Sequence, residues 1–258
     1  MFSTKKEKIK RMKLVVYLFG FILFVTSCKK PEERSCWKSA GKISDTVIYV
    51  TDFTKLSLNE NLSYELIQDS LNKIEIHGGK NLLSHIQVEQ TSDGSIEIKN
   101  LNKCNFLRYN SAAVLIKIHV KNLSYLAYRG TKTLISPDTL RMSNFQFFMN
   151  DGAGSINLKL NITNSLLGYI SHGAGDFKLA GIANKATFNI MTQGSCDTRN
   201  LKIQNSISIV SNANAPCYIN AENATLKAEI TGQGDIFYQG IPTSIISHIT
   251  NVGKLIKL

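Results

Sequence analysis

The chain has 258 residues, 43% of them hydrophobic, and a formal net charge of +11. That is enough apolar material for a sizeable core, and it excludes a disordered tail. Lys5, Lys6, Lys8, Lys10, Arg11 and Lys13 against Glu7 place five net positive charges ahead of residue 28. The remainder carries about +6, too dilute for a nucleic-acid surface but mildly favourable to acidic polysaccharide or lipid headgroups.

The N-terminus has the form of a targeting segment. A basic stretch ends at Lys13, an apolar run extends from Leu14 to Val25, and Thr26 and Ser27 precede Cys28. The run is too short for a helix to cross a hydrocarbon core of ~30 Å. Val25-Thr26-Ser27-Cys28 resembles the bacterial lipobox. That resemblance implies cleavage before Cys28, lipidation of its thiol and an outer-membrane lipoprotein, periplasmic or surface-exposed. The next residues are charged and contain Pro31, as expected of a tether. The expected organisation is a signal peptide over 1–27, a lipid-anchored tether over 28–42 and one body over 43–258. An oxidising compartment would permit disulfides among Cys36, Cys104, Cys196 and Cys217, with three pairings open. Their spacing fits no zinc motif, and no metal or other cofactor is expected.

Residues 43–122 carry alternating apolar runs: TVIYV, KLSL, SYELI, NKIEIH, HIQVEQ, SIEIKN and VLIKIHV. Period-two alternation predicts strands with one buried face. Turn signals occur at Asn59-Glu60-Asn61, His77-Gly78-Gly79 and Ser92-Asp93-Gly94. This less regular part is expected to cap one end of the body.

From residue 123 onward the chain repeats. Gly130, Gly152, Gly173, Gly194, Ala213, Gly232 and Asn251 occupy corresponding places at intervals of about 20 residues. A second punctuation falls between them at Asn164-Ser165, Asn184-Lys185-Ala186, Asn205-Ser206 and Asn223-Ala224. Each unit is expected to run strand, glycine turn, strand, asparagine turn. Such a unit cannot bury its own apolar face, whereas stacked units share a continuous core. The expected fold is therefore all-β, a parallel β-helix or solenoid. Ile156, Leu158, Phe177, Leu179, Phe188, Ile190, Ile207, Ile209, Leu226, Ile230 and Ile236 should face inward.

The order DFTKLSL (Asp52 to Leu58), IHGGKNLL (Ile76 to Leu83), DGSIEI (Asp93 to Ile98) and GQGDIFYQGIP (Gly232 to Pro242) resembles the head GIN domain family of autotransporter adhesin heads. The resemblance implies a β-helical envelope lipoprotein with an adhesive role. The fifth unit departs from the pattern, reading NANAPC in place of Gly-x-Gly-Asp.

Catalytic motifs are scarce. His77, His85, His119, His172 and His248 are scattered, and no G-x-S-x-G, P-loop or HExxH sequence occurs. Asp176, Asp197 and Asp235 each stand three residues after the turn glycine of their unit, Pro216 holding that place in the unit between the last two, and are the candidate ligand-binding residues. Asp176 and Asp197 are expected on adjacent rungs, close enough to perturb each other or hold a cation. Tyr64, Tyr109, Tyr125, Tyr128, Tyr169, Tyr218 and Tyr238 could present an aromatic surface to sugar rings. The expectation is a non-enzymatic adhesion or binding module, contacting the membrane through its lipid and a polysaccharide or another envelope protein through its body. A carbohydrate-active β-helix enzyme and a structural periplasmic protein are the alternatives.

Overall fold

The structure, a computed structural model, describes residues 39–59, 62–102 and 114–258. Cys28, Cys36, Cys104 and Tyr109 lie outside the described residues, as do the export segment and most of the tether.

The first part comprises β1 (Ile43–Tyr49), β2 (Lys55–Leu58), β3 (Ser63–Gln68), β4 (Lys73–Gly79), the short helix α1 (Lys80–Leu83), β5 (Ile86–Gln90), β6 (Ser95–Asn100), β7 (Leu115–Val120) and β8 (Tyr125–Tyr128). Four long strands follow: β9 (Thr133–Met149), β10 (Ser155–Ile170), β11 (Asp176–Thr192) and β12 (Ser195–Ala213). The last part comprises β13 (Cys217–Asn220), β14 (Thr225–Ile230), β15 (Ile236–Gln239), β16 (Ser244–Ile249) and β17 (Leu255–Lys257). Strand accounts for 67% of the described residues, which form a β-solenoid of about six turns with rungs of about 21 residues. Among the described residues no helix is long and apolar enough to cross a membrane.

From β9 onward every rung pairs in parallel with the next, so the period-two alternation is repeated in register from rung to rung. Like residues therefore stack in columns. One inward column runs Tyr64, Leu134, Ile156, Phe177, Cys196, Cys217, Ile236. All eleven residues expected to face inward are buried. Burying each large side chain contributes about 1.5–3 kcal/mol, and close packing demands that column neighbours compensate one another in size. Gly168 illustrates this, because a Cβ there would lie 2.4 Å from the Phe147 ring and 2.9 Å from that of Phe188. The glycine gives two phenylalanines room in one column.

The first part joins the same hydrogen-bonded ladders. β2 runs parallel to β6 and β8, and β3 runs parallel to β7 and β9. Antiparallel pairings occur only here among the described strands: β1 with β4, β4 with β7, and β5 with β6. Ser92-Asp93-Gly94 makes the β5–β6 turn as expected, with Gly94 at φ +80° and Asp93 accepting hydrogen bonds from Thr91 and Ser95. His77-Gly78-Gly79 is no turn: it ends β4, paired with Asp45, Ser44 and Ile43 of β1. α1 follows at once and buries Leu82 and Leu83.

Two details of the repeat are corrected. The asparagine punctuations at 164, 184 and 205 lie inside continuous strands, where the ladders shift register at 162–165 and 183–185. Only Asn223 takes a positive φ, at 58°. Gly194, aligned by sequence with Gly173, belongs two residues further along its rung. Asp176 pairs with Ser195, which puts Gly194 beside Gly175 and Thr192 beside Gly173. The NANAPC unit holds register, with Cys217 directly on Cys196.

Candidate functional site

The widest convergence of predicted site residues is a shallow groove of about 290 Å³ on the outer side of the column that contains Cys196 and Cys217. Because Phe177, Cys196 and Thr198 point inward, the alternating Asp176, Lys178, Asp197 and Arg199 point outward and line it with Ser195 and Tyr218. Arg199 grips Asp197 through two bonds, Nε to Oδ1 at 2.9 Å and Nη2 to Oδ2 at 2.7 Å. This hydrogen-bonded charge holds the Asp197 carboxyl below the usual carboxylate range. The guanidinium also lies 4.8 Å from the centre of the Tyr218 ring, whose other neighbour is Phe237, stacked at 5.1 Å. The backbone of β12 is fastened here, since the Arg199 carbonyl accepts hydrogen bonds from the side chains of Asn220 and Gln239.

The aspartates do not form the ladder expected of them. Asp197 registers with Lys178, while Asp176 registers with Ser195 and accepts a 2.6 Å hydrogen bond from Ser155. Both line the groove, two places out of step. Asp235 is elsewhere, its carboxylate accepting the backbone N–H of Lys254 at 2.8 Å. The tyrosines also divide. Tyr64 and Tyr128 are core residues in edge-to-face contact, and burial pushes the Tyr128 hydroxyl up to about 12. Tyr238 packs against the core. Tyr125 and Tyr169 flank Phe148 in an outward ladder at centroid distances of 5.3 and 5.8 Å. The Tyr218 ring lies between Phe237 and the Arg199 guanidinium, while the rings of the outward ladder are tilted against one another by 31° and 47°. The groove therefore offers carboxylate, ammonium, guanidinium and hydroxyl groups to a ligand.

Cys196 and Cys217 are free, buried and hydrogen-bonded to each other. That bond, with burial, pushes the Cys196 thiol well above its ordinary range. Among the described residues no three His, Cys, Asp or Glu side chains converge to hold a metal ion.

One constellation was not foreseen. His119 Nδ1 lies 2.8 Å from Asp69 and Nε2 3.3 Å from Glu75, the latter too far off line to hydrogen-bond. Lys73 extends it by an ion pair to Glu75 within β4, and Lys117 of β7 pairs across strands with Glu65 of β3. The signal was present in the polar places of KIEIH and LIKIHV, but pairing them required the antiparallel register of β4 on β7. The DFTKLSL and DGSIEI elements also meet, around a pocket of about 310 Å³. There Phe53 is buried, Asp52 is held by Asn72 and Lys121, and Asp93 is held by its own turn.

The family model described as "Putative auto-transporter adhesin, head GIN domain" matches residues 52–242. The chain belongs to the head GIN domain family. No curated protein matches it. Among solved structures, a "putative adhesin" from Bacteroides fragilis is similar at TM-score 0.75 and 21% identity, covering 84% of this chain and 97% of that one. A "putative adhesin" from Parabacteroides merdae is similar at TM-score 0.58 and 18% identity, covering 85% and 98%. A "Putative lipid binding protein" from Parabacteroides distasonis is similar at TM-score 0.60 and 20% identity, covering 83% and 97%. At these identities the likeness is one of fold alone.

Proposed function

We propose that this head GIN protein is a non-enzymatic adhesion module, tethered to the outer membrane by a lipid on Cys28, that binds polysaccharide through the groove of Asp176, Lys178, Asp197 and Arg199. The observation that carries the reading is the groove itself: charged and hydroxyl groups held on a rigid wall, with Arg199 fixed by a bidentate ion pair and two backbone anchors. Planar carboxylate and guanidinium groups suit the paired hydroxyls of a sugar, and pre-fixed groups lose little entropy on binding.

Binding is favoured over cleavage for a specific reason. Glycoside hydrolysis with two carboxyl groups needs one of them protonated near neutral pH, facing the other across the scissile bond. Asp197 is instead held ionised by Arg199, and Asp176 lies on the same wall. The test is a glycan array probed with the chain from Lys29 onward, followed by Arg199→Ala and Asp176→Asn. Each substitution is expected to weaken binding at least tenfold without altering the fold. Shortened polysaccharide products would overturn the reading in favour of an enzyme.

A further inference from the structure

We propose that Cys196 and Cys217 are the two ends of a disulfide that staples one rung to the next directly behind the groove. Spacing along the chain leaves three pairings open among Cys36, Cys104, Cys196 and Cys217, and the register of the rungs chooses between them. Cys196 of β12 and Cys217 of β13 are direct partners in a parallel ladder. Partner places on neighbouring strands lie about 4.8 Å apart, inside the span of ~4.4–6.8 Å that separates the Cα atoms of a disulfide. Both side chains point into the core, 2% and 0% exposed, and their sulfurs are in hydrogen-bond contact.

Packing disfavours the other pairings. Cys196 and Cys217 stand in one inward column between Phe177 and Ile236, and all four residues are buried. A cysteine from elsewhere in the chain could reach either sulfur only by displacing that column. Joining the sulfurs needs the two side chains to lean together, and Cys217 is placed to do so. It opens β13, a strand of four residues that meets β12 over three pairs only. The NANAPC departure from the glycine pattern is thus the point at which the repeat brings a second cysteine onto the first.

The step is a two-electron oxidation. The S–H bonds of Cys196 and Cys217 break, one S–S bond forms, and two protons leave. The two electrons pass to an external disulfide, which becomes two thiols by way of a mixed disulfide with one of the cysteines. Buried thiols are inert, so the exchange belongs to folding, while the rungs are still closing. The cross-link closes a loop of about 20 residues and restricts the unfolded chain. Asp197 and Tyr218 follow the two cysteines and point outward, so the staple also fixes the wall against which Arg199 lies. The proposal does not depend on what the groove binds.

A disulfide map tests this, made on the full chain refolded in reduced and oxidised glutathione, with remaining thiols alkylated before cleavage by trypsin. The expected product joins the peptide Ala186–Arg199 to the peptide Ile203–Lys227, and reduction separates them. Reduction is also expected to lower the midpoint of urea unfolding by about 1 M. Cys28→Ala/Cys36→Ala/Cys104→Ala should keep both the link and the shift, whereas Cys196→Ala/Cys217→Ala should lose both. Alkylated Cys196 and Cys217, a link from either to Cys28, Cys36 or Cys104, or a midpoint indifferent to reduction would each overturn the proposal.

Discussion

At one end of the solenoid the chain turns back on itself: β1 pairs antiparallel to β4, β5 to β6, and α1 buries Leu82 and Leu83 against the core. At the other end β16 and β17 add the last parallel strands, and Ile245 and Ile249 stand half-open. The columns are the same at both ends, so what differs is whether another layer lies over them. A stacked repeat satisfies each rung with its neighbours, and the problem of burying apolar surface is passed to the termini.

The sharpest way to probe this contrast is within one column. Ile230 and Ile249 are adjacent members, one fully buried and the other 43% exposed. Ile230→Ala should cost about 2–5 kcal/mol by leaving a cavity, and Ile249→Ala in dilute protein about 1 kcal/mol or less. Urea unfolding of both variants measures the difference, and equal costs would mean that the last rung is already covered. At the closed end, a Cβ on Gly79 would lie 2.2 Å from the Ala40 carbonyl oxygen. Gly79→Val should therefore cost about 1–3 kcal/mol through overpacking against backbone, read in the same experiment, whereas a neutral outcome would mean that the cap is loose.

The smallest expected effect concerns pH. Hydrogen bonds from Thr91 and Ser95 hold the Asp93 carboxyl well below its ordinary value. A depressed carboxylate contributes stability that is fully present above its unfolded pKa, about 3.9, and is lost as pH falls through the folded value. Asp93→Asn should thus lower the melting temperature near neutrality, with the gap to the parent closing below about pH 4. A gap independent of pH would assign the effect to turn geometry rather than to charge.

Much of this architecture was legible in the residues because period-two alternation and a repeat of about 20 residues are local signals. They identified the inward set from Ile156 to Ile236 and the β5–β6 turn. The candidate site was legible only in part. Asp176 and Asp197 line one groove, but the expected aspartate ladder failed because Gly194 resembles Gly173 while sitting beside Gly175. One glycine in a turn cannot be told from another two residues away until the rungs are paired. Arg199 went unnoticed because its importance comes from Tyr218 on the next rung, nineteen residues along the chain from it.

Sequence by itself determined the strand alternation, the stacking of units and the membership of the inward columns, because each depends on which residues must leave water. Tertiary structure decided the register between rungs, the antiparallel closure of one end and the openness of the other. Those outcomes rest on backbone hydrogen bonds between strands, which every residue but proline can make and which leave almost no mark on side-chain identity. The groove is the product of both: outward places set by alternation, and partners set by register.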